Sequence, residues 1–163
     1  MIDRPHDRDL EPRELIALVE DLAARRGLWE DLVSHDPAQR NYHELLRDRH
    51  ASAWLICWMD DQDTGFHDHD LSGGAVTVVS GRVAEERMVL GGPPRRRVIG
   101  PGESFAFAAS DIHRVAHEPG APAVTLHAYS PPLWRMGAYH VEPDGSLQRH
   151  SVSYAEELRP LTA

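Results

Sequence analysis

"GAVTVVSGRVAEERMVL", residues 74–90, holds two short runs rich in branched apolar residues, with Ser80-Gly81 between them and no helical stretch. Such runs on either side of a turn signal read as successive strands. The texture extends both ways from residue 51. "SAWLICWM" lies upstream; "RRVIGPGESFAF", "DIHRVAHE", "AVTLHAYS" and "MGAYHVEPDGSLQRHSV" lie downstream, each bounded by turn residues. Short strands at even spacing, without helices between them, predict an antiparallel sandwich or barrel. "EPDGSL" centres Asp-Gly in a hairpin turn.

Before residue 51 the pattern differs. Leu15, Ile16, Leu18, Val19 and Leu22 recur at helical spacing, and Pro12 sits where a first turn tolerates it. The spacing predicts helical structure over 11–33, punctuated by Gly27 and Asp36-Pro37, and a short helix over 40–48. The layout expected is one domain over 1–163, with a mainly helical region at 1–50 and a β-barrel over 51–155.

The bulk numbers set limits. A chain of 163 residues suits one compact core. A net charge of −9 leaves no dense basic stripe for phosphates, so no nucleic acid is expected as partner. Arg95-Arg96-Arg97 reads as a solvated loop tip between Gly/Pro turns. The one cysteine, Cys57, excludes an internal disulfide and reads as a buried small hydrophobe. No apolar segment approaches bilayer-spanning length, and the charged N-terminus lacks a signal-peptide core, so no membrane contact and a cytoplasmic location are expected. The assembly expected is a monomer or homodimer.

"GFHDHD", residues 65–70, places His67 and His69 two apart. In a strand those side chains share a face and Asp68 points away. A lone H-x-H in a chain with 11 histidines is a weak signal. His113, in "DIHRV", follows a Pro-Gly turn and an aromatic strand that would fold it back beside the pair. Three neutral imidazoles suit a divalent transition metal and leave positions open, as a catalytic site needs. His117 approaches the "EPGAP" turn and is placed outside the site. In "AVTLHAYSPP", Thr125, His127 and Tyr129 fall on one face and read as a hydrogen-bonded relay. Ser130-Pro131 is a candidate cis bond. Trp54, Trp58, Phe105 and Phe107 read as core rather than substrate contacts.

Taken in order, "G-x-H-D-H", "GAVTVVSG", "DIHRV" and "TLHAYSPP" resemble the cysteine dioxygenase family of thiol dioxygenases, from about Tyr42 to Tyr139. The resemblance implies a mainly β fold, a small cupin-type antiparallel β-barrel (double-stranded β-helix or jelly roll) with N-terminal helices. It implies one Fe(II) per chain held by His67, His69 and His113, and addition of both atoms of O₂ to a small thiol, giving a sulfinic acid. His127 and Tyr129 match the family's active-site relay, with Thr125 where the family often has Ser. Mammalian members carry a cysteine, crosslinked to the tyrosine, five residues after the second ligand; here that position is Gly74. The arginine that binds the substrate carboxylate has Glu44 as its nearest match. Arg47 and Arg49, if the register shifts, and Arg135 are the candidates to replace it.

On that reading the metal's charge favours a bound thiolate, and Tyr129, oriented by His127, hydrogen-bonds to the reactants. Glu44 near the substrate carboxylate would disfavour L-cysteine. Two alternatives stand beside it: a metal-binding cupin acting on a non-thiol substrate, and a cupin that binds a metal or ligand without turnover. The donor set itself accepts Fe, Mn, Ni or Zn.

Overall fold

The computed structural model describes residues 5–153. Helix α1 (Pro12–Ala24) begins on a capping arrangement in which the Glu11 backbone N–H donates to Glu14 Oε2 at 2.8 Å, with Pro12 in the first turn. It ends earlier than the sequence suggests. Two short 3₁₀ turns follow, Arg26–Leu28 and Glu30–Leu32. They bracket Trp29, whose buried indole N–H donates to the Leu22 carbonyl at 2.8 Å and folds the chain back on α1.

Eleven strands follow: β1 (Asn41–Arg47), β2 (Ser52–Trp58), β3 (His67–Asp68), β4 (Gly73–Ser80), β5 (Val83–Val89), β6 (Gly92–Ile99), β7 (Ser104–Phe107), β8 (His113–His117), β9 (Ala123–Ser130), β10 (Arg135–Val141) and β11 (Leu147–Ser153). They form two antiparallel sheets, ordered β1-β2-β9-β4-β7 and β11-β10-β3-β8-β5-β6. From β2 to β5 the chain changes sheet at every step, so residues distant in sequence meet between the sheets. The mainly β, two-sheet antiparallel architecture expected from the sequence is present, and "EPDGSL" forms the β10–β11 turn.

The pleat divides the first sheet into two cores. Trp54, Ile56 and Trp58 of β2, Val76 and Val78 of β4, and Tyr129 of β9 face the second sheet, where Val83, Ile99, Val115 and Met136 meet them. The alternate residues, Ala53, Leu55, Cys57, Ala75, Val124, Leu126 and Ala128, pack under Leu15, Leu18, Val19 and Leu22 of α1. β2 and β9 are therefore buried on both faces and read as continuous apolar runs. Cys57 lies in the helix-facing layer, buried as expected.

Two expectations are corrected. Residues 41–47 form β1 rather than a short helix, so the first 50 residues are not mainly helical. A regular strand sends the adjacent Leu45 and Leu46 to opposite faces. A register shift between Glu44 and Leu46 lets both leucines pack toward α1. Arg95-Arg96-Arg97 is not a loop tip either. The hairpin turns at Leu90-Gly91, where Gly91 has φ 73°, and the arginines lie on β6. β6 is an edge strand, and its prolines and charges are the usual protection of an edge.

Candidate metal centre

β3 lies between β10 and β8, and His67 pairs directly across from His113. His69 follows β3 immediately. The three imidazoles converge in the interior, each at most 3% exposed, with ligand atoms within 4.8 Å of one another. His67 Nε2 and His69 Nε2 are 3.2 Å apart. The strand alternation holds for the residue between them. Asp68 turns away and accepts from Tyr139 Oη at 2.7 Å and from Arg149 Nε and Nη2 at 2.7 and 2.9 Å. This ties β3 to the β10–β11 hairpin, and these bonds hold Asp68 below the ordinary carboxylate range although burial opposes them.

The surroundings fix which nitrogen of each ring is available. The Gly65 carbonyl lies 3.0 Å from His67 Nδ1, which leaves Nε2 facing the centre. His113 Nδ1 is 2.9 Å from Glu85 Oε1, and His113 Nε2 is buried without a hydrogen-bond partner. Burial pushes the His67 and His69 imidazoles well below their ordinary range, and neighbouring imidazoles reinforce it. Buried imidazoles whose ring nitrogens converge on one point fit a divalent cation, which takes its histidine ligands in the neutral form.

β9 is a central strand, between β2 and β4, and its inward face carries the relay. Trp58 Nε1–H donates to Thr125 Oγ1 at 2.8 Å. Thr125 Oγ1 is 2.8 Å from His127 Nε2, and His127 Nδ1 is 3.3 Å from Tyr129 Oη. Tryptophan only donates, so it takes one lone pair of the threonine oxygen. The threonine hydrogen then has His127 Nε2 as its acceptor. His127 is therefore assigned as the Nδ1–H tautomer donating to Tyr129, a residue that lines the pocket. Burial, then His113 and Arg40, push the His127 imidazole down to about 3, so this ring stays neutral. The Tyr129 ring centroid is 5.3 Å from that of His69.

The pocket over the histidines is lined by Arg40, Ile56, Val76, Phe107, Tyr129 and Met136, among others, and no acidic side chain lines it among the described residues. The cavity enclosed by these residues is about 30 Å³. Arg40 is 6% exposed, with its guanidinium carbon 5.2 Å from the Trp58 ring centroid. Sequence reasoning missed this residue. Arg40 precedes Tyr42 by two, and Tyr42 packs on the inward core. Period-2 alternation therefore turns both inward, a signal hidden by reading the segment as a helix.

The arginine candidates named from the sequence lie elsewhere. Arg47 and Glu44 are paired with each other at the protein surface, Arg49 is exposed in the β1–β2 turn, and Arg135 is exposed beside Trp134 and Val152. Glu44 does not line the pocket, which removes the stated reason for disfavouring L-cysteine. His117 lies outside the triad, near Asp60 and the Ala121 carbonyl, as expected. Trp54, Trp58 and Phe105 are core residues, whereas Phe107 also lines the site. Its ring stacks on His69 at 4.4 Å and lies 4.5 Å from His113. Phe107 also accounts for Gly74: a Cβ there would lie 2.1 Å from Phe107 Cζ, so the ring fills the space of a side chain at that position. Ser130-Pro131 is cis.

Comparison with solved structures places this arrangement in the cupin fold. TT1209 from Thermus thermophilus is similar with a TM-score of 0.56 and 18% identity, over 63% of this chain and 93% of that one. A cupin superfamily protein from Desulfitobacterium hafniense DCB-2 gives a TM-score of 0.54 and 12% identity, over 63% and 87%. A conserved protein with a double-stranded β-helix domain from Klebsiella pneumoniae subsp. pneumoniae MGH 78578 gives 0.55 and 14%, over 63% and 80%. At these identities the likeness concerns the fold. A search of curated proteins finds no match. The sequence profile described as Cysteine dioxygenase type I matches residues 7–142. The match spans the histidine triad, the relay and Arg40, and by it the chain belongs to the cysteine dioxygenase type I family.

Proposed function

We propose that the protein is an iron-dependent dioxygenase of small thiols that carry a carboxylate. The observation that carries this reading is one pocket in which three buried imidazoles, Tyr129 and the buried Arg40 converge, with no acidic side chain among the described residues that line it. Three histidines leave a divalent ion its full charge, and a bound Fe(II) would supply thiolate formation and activation of O₂ at neighbouring positions. The reaction R–SH + O₂ → R–SO₂H balances without an external reductant: sulfur loses four electrons and both oxygen atoms end on it.

The chain's residues divide the remaining work. Arg40 offers a charged fork for the substrate carboxylate, which would otherwise be costly to bring into a buried site. Tyr129, oriented through His127, Thr125 and Trp58, presents its hydroxyl hydrogen to the reactants. Leu133, Met136, Ile56 and Val76 keep bulk water from the polar groups. A substrate amine finds no carboxylate partner among the lining residues, so a thiol with an amine but no carboxylate is disfavoured next to Arg40.

The test is oxygen uptake by iron-loaded protein with L-cysteine, 3-mercaptopropionate and cysteamine, with sulfinate detected by mass. The two carboxylate thiols should turn over and cysteamine should not. Arg40→Ala should lower kcat/KM for them at least ~10-fold, the loss expected when a charged partner is removed. Equal turnover of cysteamine would remove Arg40 from substrate binding. Silence with all three would reject the thiol reading and favour a metal-binding cupin that acts on a non-thiol or binds without turnover.

A further inference from the structure

Glu85 is a buried carboxylate that the reaction above does not use. It lies on β5 in "VAEER", where the charged context suggests a surface, yet its side chain is 2% exposed. Alternation explains the burial. Val83 belongs to the interior core, and Glu85 follows it by two on the same face. A carboxylate in this position is destabilising unless all its lone pairs are engaged. Here they are. Oε1 is 2.9 Å from His113 Nδ1 and accepts from Arg87 Nη2 at 2.9 Å. Oε2 accepts from Arg97 Nε at 2.7 Å, with Arg97 Nη2 at 2.6 Å. Arg87 also reaches Asp111 at 3.0 Å and the Ala106 carbonyl at 3.2 Å, so it ties the approach to β8 to the same point. Arg97 lies over the Phe105 ring, 4.8 Å from its centroid.

We infer that Glu85 is a positioning residue for the metal centre: with Arg87 and Arg97 it forms a clamp that holds His113 as the Nδ1–H tautomer and aims its Nε2 at the metal. The inference rests on the triad being a metal site. Two arginines and one imidazole around one carboxylate leave it no freedom to rotate, and a carboxylate paired on both oxygens must take the imidazole as donor. His113 Nε2 is then the lone-pair nitrogen, and it is the nitrogen found buried without a partner. His67 has a backbone carbonyl in the corresponding place, and no hydrogen-bond partner is found for His69 Nδ1. Among the described residues, His113 is thus the ligand oriented by a charged group. Such partners of metal-bound histidines commonly influence metal affinity about 10–100-fold.

The experiment uses the full chain with Glu85→Gln and Glu85→Asp. Gln keeps the length and removes the charge; Asp keeps the charge but withdraws it from Nδ1. Co(II) affinity is measured by competition with a chromophoric chelator, and the tautomer of His113 is read from ¹⁵N shifts of the metal-free protein. The native protein should show Nδ1–H at His113. Both variants should bind Co(II) at least ~10-fold more weakly and lose the single tautomer. A variant that folds, keeps the native ¹⁵N pattern and binds Co(II) within ~2-fold of native overturns the proposal. If Gln does not fold, the Asp variant decides by the same criteria. Should the native protein bind no Co(II), the metal reading fails by itself, and the ¹⁵N pattern of metal-free variants still decides the clamp.

Discussion

Thr125→Val isolates the relay with the least change of shape. Valine fills nearly the same volume and lacks the oxygen that receives Trp58 Nε1–H and lies 2.8 Å from His127 Nε2. Thr125 is wholly buried, so water does not replace it. Two buried polar groups are left unsatisfied, at about 1–3 kcal/mol each, offset by about 1 kcal/mol from the added apolar methyl. A net loss of about 1–5 kcal/mol is expected in urea denaturation of the metal-free protein. Trp58→Phe removes the orphaned donor, so the double variant should be less destabilised than the sum of the two single variants by about 1 kcal/mol. Turnover should fall about 10-fold in Thr125→Val, because His127 loses the neighbour that fixes its tautomer. A loss below ~0.5 kcal/mol with no coupling to Trp58 would refute the chain of donors described here.

Tyr129→Phe should keep stoichiometric metal and slow turnover roughly 10–1000-fold, measured at saturating thiol and O₂; unchanged turnover removes the hydroxyl from the mechanism. Gly74→Ala should cost about 1–3 kcal/mol, because its Cβ would meet Phe107 Cζ at 2.1 Å, and Phe107→Leu in the same chain should recover part of the loss. Full stability of the single variant would show that the ring yields freely. The metal-free protein should weaken as pH falls below about 6.5, where unfolded histidines take up protons that buried His67, His69 and His127 refuse. Each such group contributes about 1.4 kcal/mol per pH unit, so the slope approaches ~4 kcal/mol per unit. For His127 the loss levels off near its folded value of about 3. Glu85 and Asp48, held at about 2, add a further loss below about pH 4.5. Urea midpoints that stay flat from pH 7.5 to 5 would contradict the buried neutral histidines.

Much of this was legible in the sequence, because strand periodicity is a local property. His67 and His69 share a face with Asp68 opposed, and Thr125, His127 and Tyr129 line up, from spacing alone. The pairing of His67 with His113 is not local. It depends on sheet order; the turn and strand before His113 allowed the approach, and the family resemblance singled it out as the third ligand. The misses have different causes. Reading 40–48 as a helix hid β1, and with the strand went Arg40, which lies just ahead of it and faces the pocket. Glu85 was hidden the other way: in a charged run, burial follows only from partners that lie on β6 and β8. Phe107 was read as core, and it is; that it also touches two of the histidines required knowing that β7 lies across β4 from β9.

The two sheets contribute different chemistry. The second sheet and its loop carry the three histidines and the Glu85 clamp, while the first carries the relay and, just ahead of β1, Arg40. Among the described residues, no strand bears both a histidine of the triad and a relay residue. The distance from Tyr129 to the metal centre is therefore set by how the sheets pack. Phe107 sits at that junction: it belongs to the first sheet, stacks on His69, meets His113 of the second sheet at a tilt, and lies 6.1 Å from Tyr129. Gly74 belongs to the same junction, since it pairs with Tyr129 on one side and with Phe107 on the other. Absence of a side chain at position 74 thus lets an aromatic wedge stand where a crosslinking cysteine is found in mammalian members of the family. In this chain the placement of the tyrosine falls to non-covalent packing and to the hydrogen bonds that run back through His127 and Thr125 to Trp58.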